Sequence, residues 1–133
     1  MMRGVFITGT DTGVGKTRIG AALAHLLGGR GLRVRPRKPV ESGCTKGPDG
    51  WVPQDAVALR EAAGRMETLD RVCAYRFQAP LSPERAAALE GVTIGLGQVY
   101  AACRSGIEGG DFLLVEGAGG FYSPMTHGAL NAD

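Results

Sequence analysis

Lys16 and Thr17 close a run rich in glycine and hydroxyl residues, "TGTDTGVGKT" at residues 8–17, just ahead of a helical pattern. That combination is suited to holding phosphate. A helix N-terminus has unpaired N–H groups and a partial positive charge, so phosphate oxygens bind there. Gly13 and Gly15 let the backbone fold around them with no Cβ in the way. Lys16 then reaches the β- and γ-phosphates, and the Thr17 hydroxyl is placed to ligate Mg²⁺. A bare tight turn after a strand would need the glycines but not the lysine and hydroxyl.

Three more residues extend this chemistry. "FLLVE" ends an apolar run on Glu116, just before "GAGG", where an acid can serve a metal. Asp55 reads two ways, as a first-turn helix acid satisfying the dipole or as a second carboxylate of the site. Lys38 ends an arginine-rich strand on the Leu32 and Val34 side of its alternation. It is either a crevice residue or one more solubilising charge.

The elements that must position these residues alternate strand and helix. "RGVFITG" reads as a strand buried inside a parallel sheet, and "GKT" opens a helix from Lys16 to about Leu27. Ile19, Ala22, Leu23, Leu26 and Leu27 give that helix one buried face. "LRVRPRK" alternates Leu32 and Val34 with Arg33, Arg35 and Arg37, which predicts a strand near a sheet edge with a solvated arginine face. "ESGCTKGPDGW" reads as a turn-rich loop, followed by a helix from Pro53 or Gln54 to Ala63, stopped by Gly64. "RVCAYRF" predicts a short strand; Ser82 and Pro83 open one helix and Thr93 caps another. Strands separated by helices imply βαβ units, so the fold class is α/β with a parallel sheet and right-handed crossovers. With 133 residues, 1–133 is expected to be a single domain.

Composition removes other classes. A net charge of +2 is too mild to argue for nucleic acid or a membrane surface, and no apolar run is long enough to span a bilayer. Cys44, Cys73 and Cys103 are odd in number with no CxxC pair, which is neither a disulfide framework nor a zinc site and suits a reducing cytosol. His25 and His127 lack a ligand partner at metal spacing. Glycine, at 22 residues, is more than twice its usual share, which points to loops that approach a ligand or turn sharply.

Strand, glycine loop, lysine-threonine and helix together make a P-loop, although the first glycine of GxxxxGK[ST] would fall on Thr10 and Gly9 lies one residue earlier. With "GTDTGVGKT", "KPVESG", "QDAVAL" and "VEGAGGFYSP" in this order, the chain resembles the N-terminal part of the dethiobiotin synthetase family. The resemblance implies a P-loop NTPase-like parallel sheet with helices on both faces, continuing beyond Asp133. It implies that 7,8-diaminononanoate and CO₂ (or bicarbonate) form a carbamate, which ATP phosphorylates before the second amine closes a cyclic urea. It assigns the phosphates to backbone amides from Gly13 through Val14 and Gly15 to Lys16, and Mg²⁺ to Thr17, Asp55 and Glu116. Lys16 and Lys38 would neutralise charge on the γ-phosphoryl group and carbamate. Thr12 and Ser42 would donate to the substrate, and Gly117, Ala118 and Gly119 would line the site.

A cytoplasmic homodimer is implied as well. The part beyond Asp133 would complete the sheet and read the base, so the 133 residues alone are expected to expose an apolar edge and to show little ligase activity. Gly13 stands where the family often has an acid, and Glu84 where it has a histidine. The competing class is a nucleotide-dependent switch ATPase that binds protein partners. Such proteins carry a signature lysine at the position of Asp11, and an aspartate cannot supply that charge to a neighbour's phosphates. A third reading is a fragment that binds ATP weakly and catalyses nothing.

Overall fold

The computed structural model describes residues 2–120 and 123–133; Phe121 and Tyr122 of "VEGAGGFYSP" lie outside the described residues. In chain order the elements are β1 (Arg3–Ile7), α1 (Lys16–Gly29), β2 (Arg33–Arg37), β3 (Val40–Glu41), β4 (Thr45–Gly47), β5 (Gly50–Val52) and α2 (Gln54–Ala62). They continue with α3 (Leu69–Val72), β6 (Tyr75–Arg76), α4 (Pro83–Leu89), α5 (Leu96–Arg104), β7 (Asp111–Glu116), β8 (Pro124–Thr126) and β9 (Ala129–Leu130).

The sheet that carries the site is parallel, in the order β1-β7-β2. The last long strand is thus inserted between the first two, with Ile7 opposite Glu116 and Arg37 opposite Val115. The carboxyl ends of all three strands therefore open on one crevice. Among the described residues β1 pairs only with β7, and Phe6 on its outer face is 46% exposed.

The opposite face of β1, β7 and β2 packs on α1. Ala24, Val34, Leu59 and Leu114 form its buried centre, with Val5, Ile7, Leu23 and Leu27 packed around them. The buried face of α1 runs through Lys16, Gly20 and Ala24, so the expected stripe is displaced. Ile19 and Leu26 point outward, 65% and 52% exposed. A helix apolar over so wide an arc does not announce which part of it meets the sheet, and here small residues allow close packing. A second cluster, Val40, Phe77, Ala86, Ala87, Ile94, Val99 and Met125, gathers α4, α5 and the short strands.

The arginine alternation of β2 is real, but its face is solvated only at Arg33 and becomes buried toward Arg37. Arg37 is fully buried; its guanidinium donates to Glu67 Oε2 at 2.6 Å, Glu67 Oε1 at 2.9 Å and the Ser105 carbonyl at 2.6 Å. Arg33 and Arg35 both pair with Asp111. Burial works to raise the Asp111 carboxyl, but the Glu108 N–H and the two arginines outweigh it and hold it below its ordinary value. Removing one partner of a buried fork strands the other charge. Glu67→Ala is therefore expected to cost about 3–5 kcal/mol in urea unfolding, and a loss under about 1 kcal/mol would mark the pair as no more than a surface contact.

Other local readings change too. The turn-rich segment contains the hairpin β4/β5, paired Gly47 to Gly50 around Pro48 and Asp49, with strands too short to show a period. "RVCAYRF" starts in α3 and keeps only the two-residue strand β6, because Val72 and Cys73 fold into a cluster with Ala56. The helix assigned to a Thr93 cap begins at Leu96, and the Gly95 N–H is satisfied by Gln98 Oε1 at 2.7 Å. The helix starts at Gln54 and Pro83 and the strand ending on Glu116 lie where the pattern places them.

Candidate functional site

The site starts from the turn between β1 and α1. Gly15 is the residue before the helix, with φ of 99°, a left-handed conformation that favours glycine. No side chain caps this helix start, so the N–H groups of the first turn are left for a ligand. Lys16, only 8% exposed, folds back and donates from Nζ to the Asp11 carbonyl at 2.8 Å.

A second glycine loop closes against the first. After β7 the chain passes through Gly117, Ala118 and Gly119, and a Cβ on Gly120 would meet the Thr10 carbonyl oxygen at 2.7 Å. Only glycine permits that approach between the two loops. Asn131 fastens the second loop, donating from Nδ2 to the carbonyls of Ala118 at 2.6 Å and Gly120 at 3.0 Å.

The charged side chains converge where the strand ends meet. Lys38 follows β2 and faces Glu116 at the end of β7; its Nζ donates to Glu116 Oε1 at 2.9 Å. It also donates to Asp55 Oδ2 and to the Gly117 carbonyl, each at 3.1 Å. Thr17 Oγ1 donates to the same Glu116 oxygen at 2.8 Å. Thr17, Lys38, Asp55 and Glu116, separated by as many as 99 positions in sequence, thus form one network. Burial lowers the Lys38 ammonium, but the charges of Glu116 and Asp55 more than offset it and hold it above the ordinary lysine value. Lys38 is therefore a cation throughout the neutral range.

These side chains border a cleft of about 680 Å³ whose lining also takes in Thr12, Gly13, Gly15, Ser42, Ala118 and Gly119. Of the residues named from sequence, Val14 and Gly117 are not in the lining. Val14 is 52% exposed, whereas Gly117 presents its carbonyl to Lys38. Arg18 lines the cleft as well and was not foreseen.

Glu41 is another residue that sequence reasoning missed. It is buried, and its carboxylate accepts the backbone N–H groups of Asp55 at 3.0 Å and Ala56 at 2.9 Å. It thereby fixes the start of α2 and with it the Asp55 side chain. Burial first, and then the Asp55 charge, pushes the Glu41 carboxyl up to about 7. Its sequence signal was faint, an acid three residues past Lys38 in a segment read as loop. Cys44, close by, is no nucleophile at neutral pH, because burial and Glu41 push its thiol up to about 11.

The donor set suits a hard cation. Thr17, Asp55 and Glu116 offer oxygen only, and Glu116 Oε2 is buried without a hydrogen-bond partner. Among the described residues no three His, Cys, Asp or Glu side chains group as a metal centre. A cation here would complete its shell with the threonine hydroxyl, phosphate oxygens and its own waters, as Mg²⁺ commonly does.

Residues 3–133 match the family model described as AAA domain. The chain is also similar to proteins named ATP-dependent dethiobiotin synthetase BioD. It is 45% identical to the one from Anaeromyxobacter dehalogenans over 132 residues, 99% of this chain and 57% of that protein. To the Xylella fastidiosa protein it is 42% identical over 121 residues, 91% of this chain and 54% of that one. To the Vesicomyosocius okutanii protein it is 40% identical, covering 99% of this chain and 59% of that one. The chain therefore spans under two thirds of the length of these relatives. Among the described residues no helix is long and apolar enough to cross a membrane.

Proposed function

Because the chain belongs to the AAA domain family, we propose that it forms the ATP-binding part of a cyclo-ligase that joins 7,8-diaminononanoate and CO₂ into dethiobiotin. The observation that carries this reading is the network of Thr17, Lys38, Asp55 and Glu116 beside the phosphate-binding turn. The names of its relatives supply ATP dependence and the product, dethiobiotin, and the resemblance of the motifs supplies diaminononanoate and CO₂.

The chemistry needs no covalent nucleophile from the protein. A carbamate oxygen attacks the γ-phosphorus of ATP and the bond to the β-phosphate oxygen breaks, leaving ADP. The second amine then attacks the carbamate carbon, loses a proton, and phosphate departs with the oxygen it gained. Such a sequence asks for positioning and positive charge. The first-turn amides of α1 and Lys16 hold the phosphates, and Lys38 offsets charge on the carbamate and the transferring group. Thr12 and Ser42 donate to the substrate from the cleft wall. Thr17, Asp55 and Glu116 would hold Mg²⁺, which would supply positive charge against the phosphates.

A cytoplasmic homodimer belongs to the same reading. So does an aspartate at position 11, which removes the cation a partner-binding switch would use. The experiment is a coupled one on the protein that carries this chain. ADP release is expected to require both diaminononanoate and bicarbonate, and ADP release independent of both would sink the ligase reading.

A further inference from the structure

The ammonium of Lys38 sits where the oxygens that would serve a divalent cation come together. Its three protons have three acceptors, Asp55 Oδ2, Glu116 Oε1 and the Gly117 carbonyl, at 2.9–3.1 Å. The Lys38 and Glu116 side chains are 4% and 1% exposed, so little water reaches this contact. Thr17 Oγ1 shares the same Glu116 oxygen at 2.8 Å. Lysine and threonine therefore both occupy Oε1, while Oε2 of the same carboxylate has no partner.

We propose that Lys38 is a tethered competitor of the divalent cation: its ammonium and the metal ion take turns on Asp55 and Glu116, and cation loading releases Lys38 into the cleft. The inference rests on the metal assignment proposed above. Its physics is charge and space. Two cations on one carboxylate pair repel each other, and more strongly at the buried Glu116 than in bulk water, while Asp55, 42% exposed, opens the pair to an arriving ion. A lysine can yield because its charge rides on a flexible four-carbon stem. That stem is anchored just past β2, whose last backbone contact here is the Lys38 N–H to the Val72 carbonyl at 2.9 Å. The head group can thus move while the strand end stays fixed. Ser42 and Thr12 line the same cleft, so a released ammonium meets the substrate side.

The consequence is an ordering device. Lys38 is withheld by its own carboxylates until the cation arrives, so the charge that would stabilise the phosphoryl acceptor becomes available only in the loaded site. Glu41 keeps Asp55 in place through both states by holding the backbone at the start of α2.

The test is a Mn²⁺ titration without nucleotide, followed by electron paramagnetic resonance of the free ion. The parent protein, Lys38→Met and the double variant Lys38→Met/Asp55→Asn are compared, with Lys38→Gln replacing Lys38→Met if thermal unfolding shows the latter misfolded. A resident ammonium weakens apparent affinity by the fraction of time it holds the site, so removing it should tighten Mn²⁺ binding by roughly tenfold or more. The added Asp55→Asn change should cancel that gain. Equal or weaker affinity in the lysine variants overturns the competition. If affinity is equal but still falls with Asp55→Asn, the metal assignment survives alone. If the added Asp55→Asn alters nothing, both fail.

Discussion

Lys16→Ala is expected to abolish measurable turnover and to weaken ATP binding. Loss of a single preorganised donor to developing charge costs about 10²–10³-fold in kcat, and a charge-assisted hydrogen bond is worth about 1.5–3 kcal/mol of binding. No other lysine can take over. Lys38, the other lysine of the cleft, is rooted past the end of β2 rather than in the turn before α1, while Lys46 lies in the β4 strand of the hairpin. Lys16 itself is held ready, folded onto the Asp11 carbonyl at the mouth of the uncapped helix. Calorimetric ATP affinity and a single-turnover rate both report on it. Unchanged values in the variant would remove the phosphate-binding turn from the account.

Lys38→Ala is expected to act differently, lowering kcat by about 10²–10³-fold while ATP affinity changes far less. Charge on the transferring group grows during reaction, so a residue aimed there stabilises the transition state more than the bound substrate. The geometry favours that separation, because Lys38 contacts carboxylates and a carbonyl of its own chain. Equal losses in rate and ATP affinity would make it a plain phosphate ligand.

The sequence was most informative where residue type and spacing are tied to one chemistry. The glycine turn, its lysine-threonine end and the acid closing an apolar strand are local features, and the structure gathers them at one cleft. Lys38 and Asp55 each allowed a bland reading, since nothing local shows that β7 inserts between β1 and β2. That insertion is what sets Lys38 opposite Glu116. Arg37 shows the same limit from the other side: alternation revealed its face, but not that Glu67, thirty positions on, would accept its guanidinium. Glu41 and Asn131 act by holding backbone groups of distant segments, a role that leaves no spacing signal. The displaced face of α1 has the same origin, for burial there is decided by Leu59 and Leu114 rather than by the helix itself.

The central claim is that this site transfers phosphate to a carbamate. Bicarbonate labelled with ¹⁸O tests it most directly, with ATP, diaminononanoate and the protein that carries this chain. If the carbamate oxygen attacks the γ-phosphorus, that oxygen must leave with phosphate when the ring closes. Labelled phosphate is expected to form in step with ADP and cyclic urea, and to be lost together with both in Lys16→Ala. ADP release accompanied by unlabelled phosphate would contradict the claim.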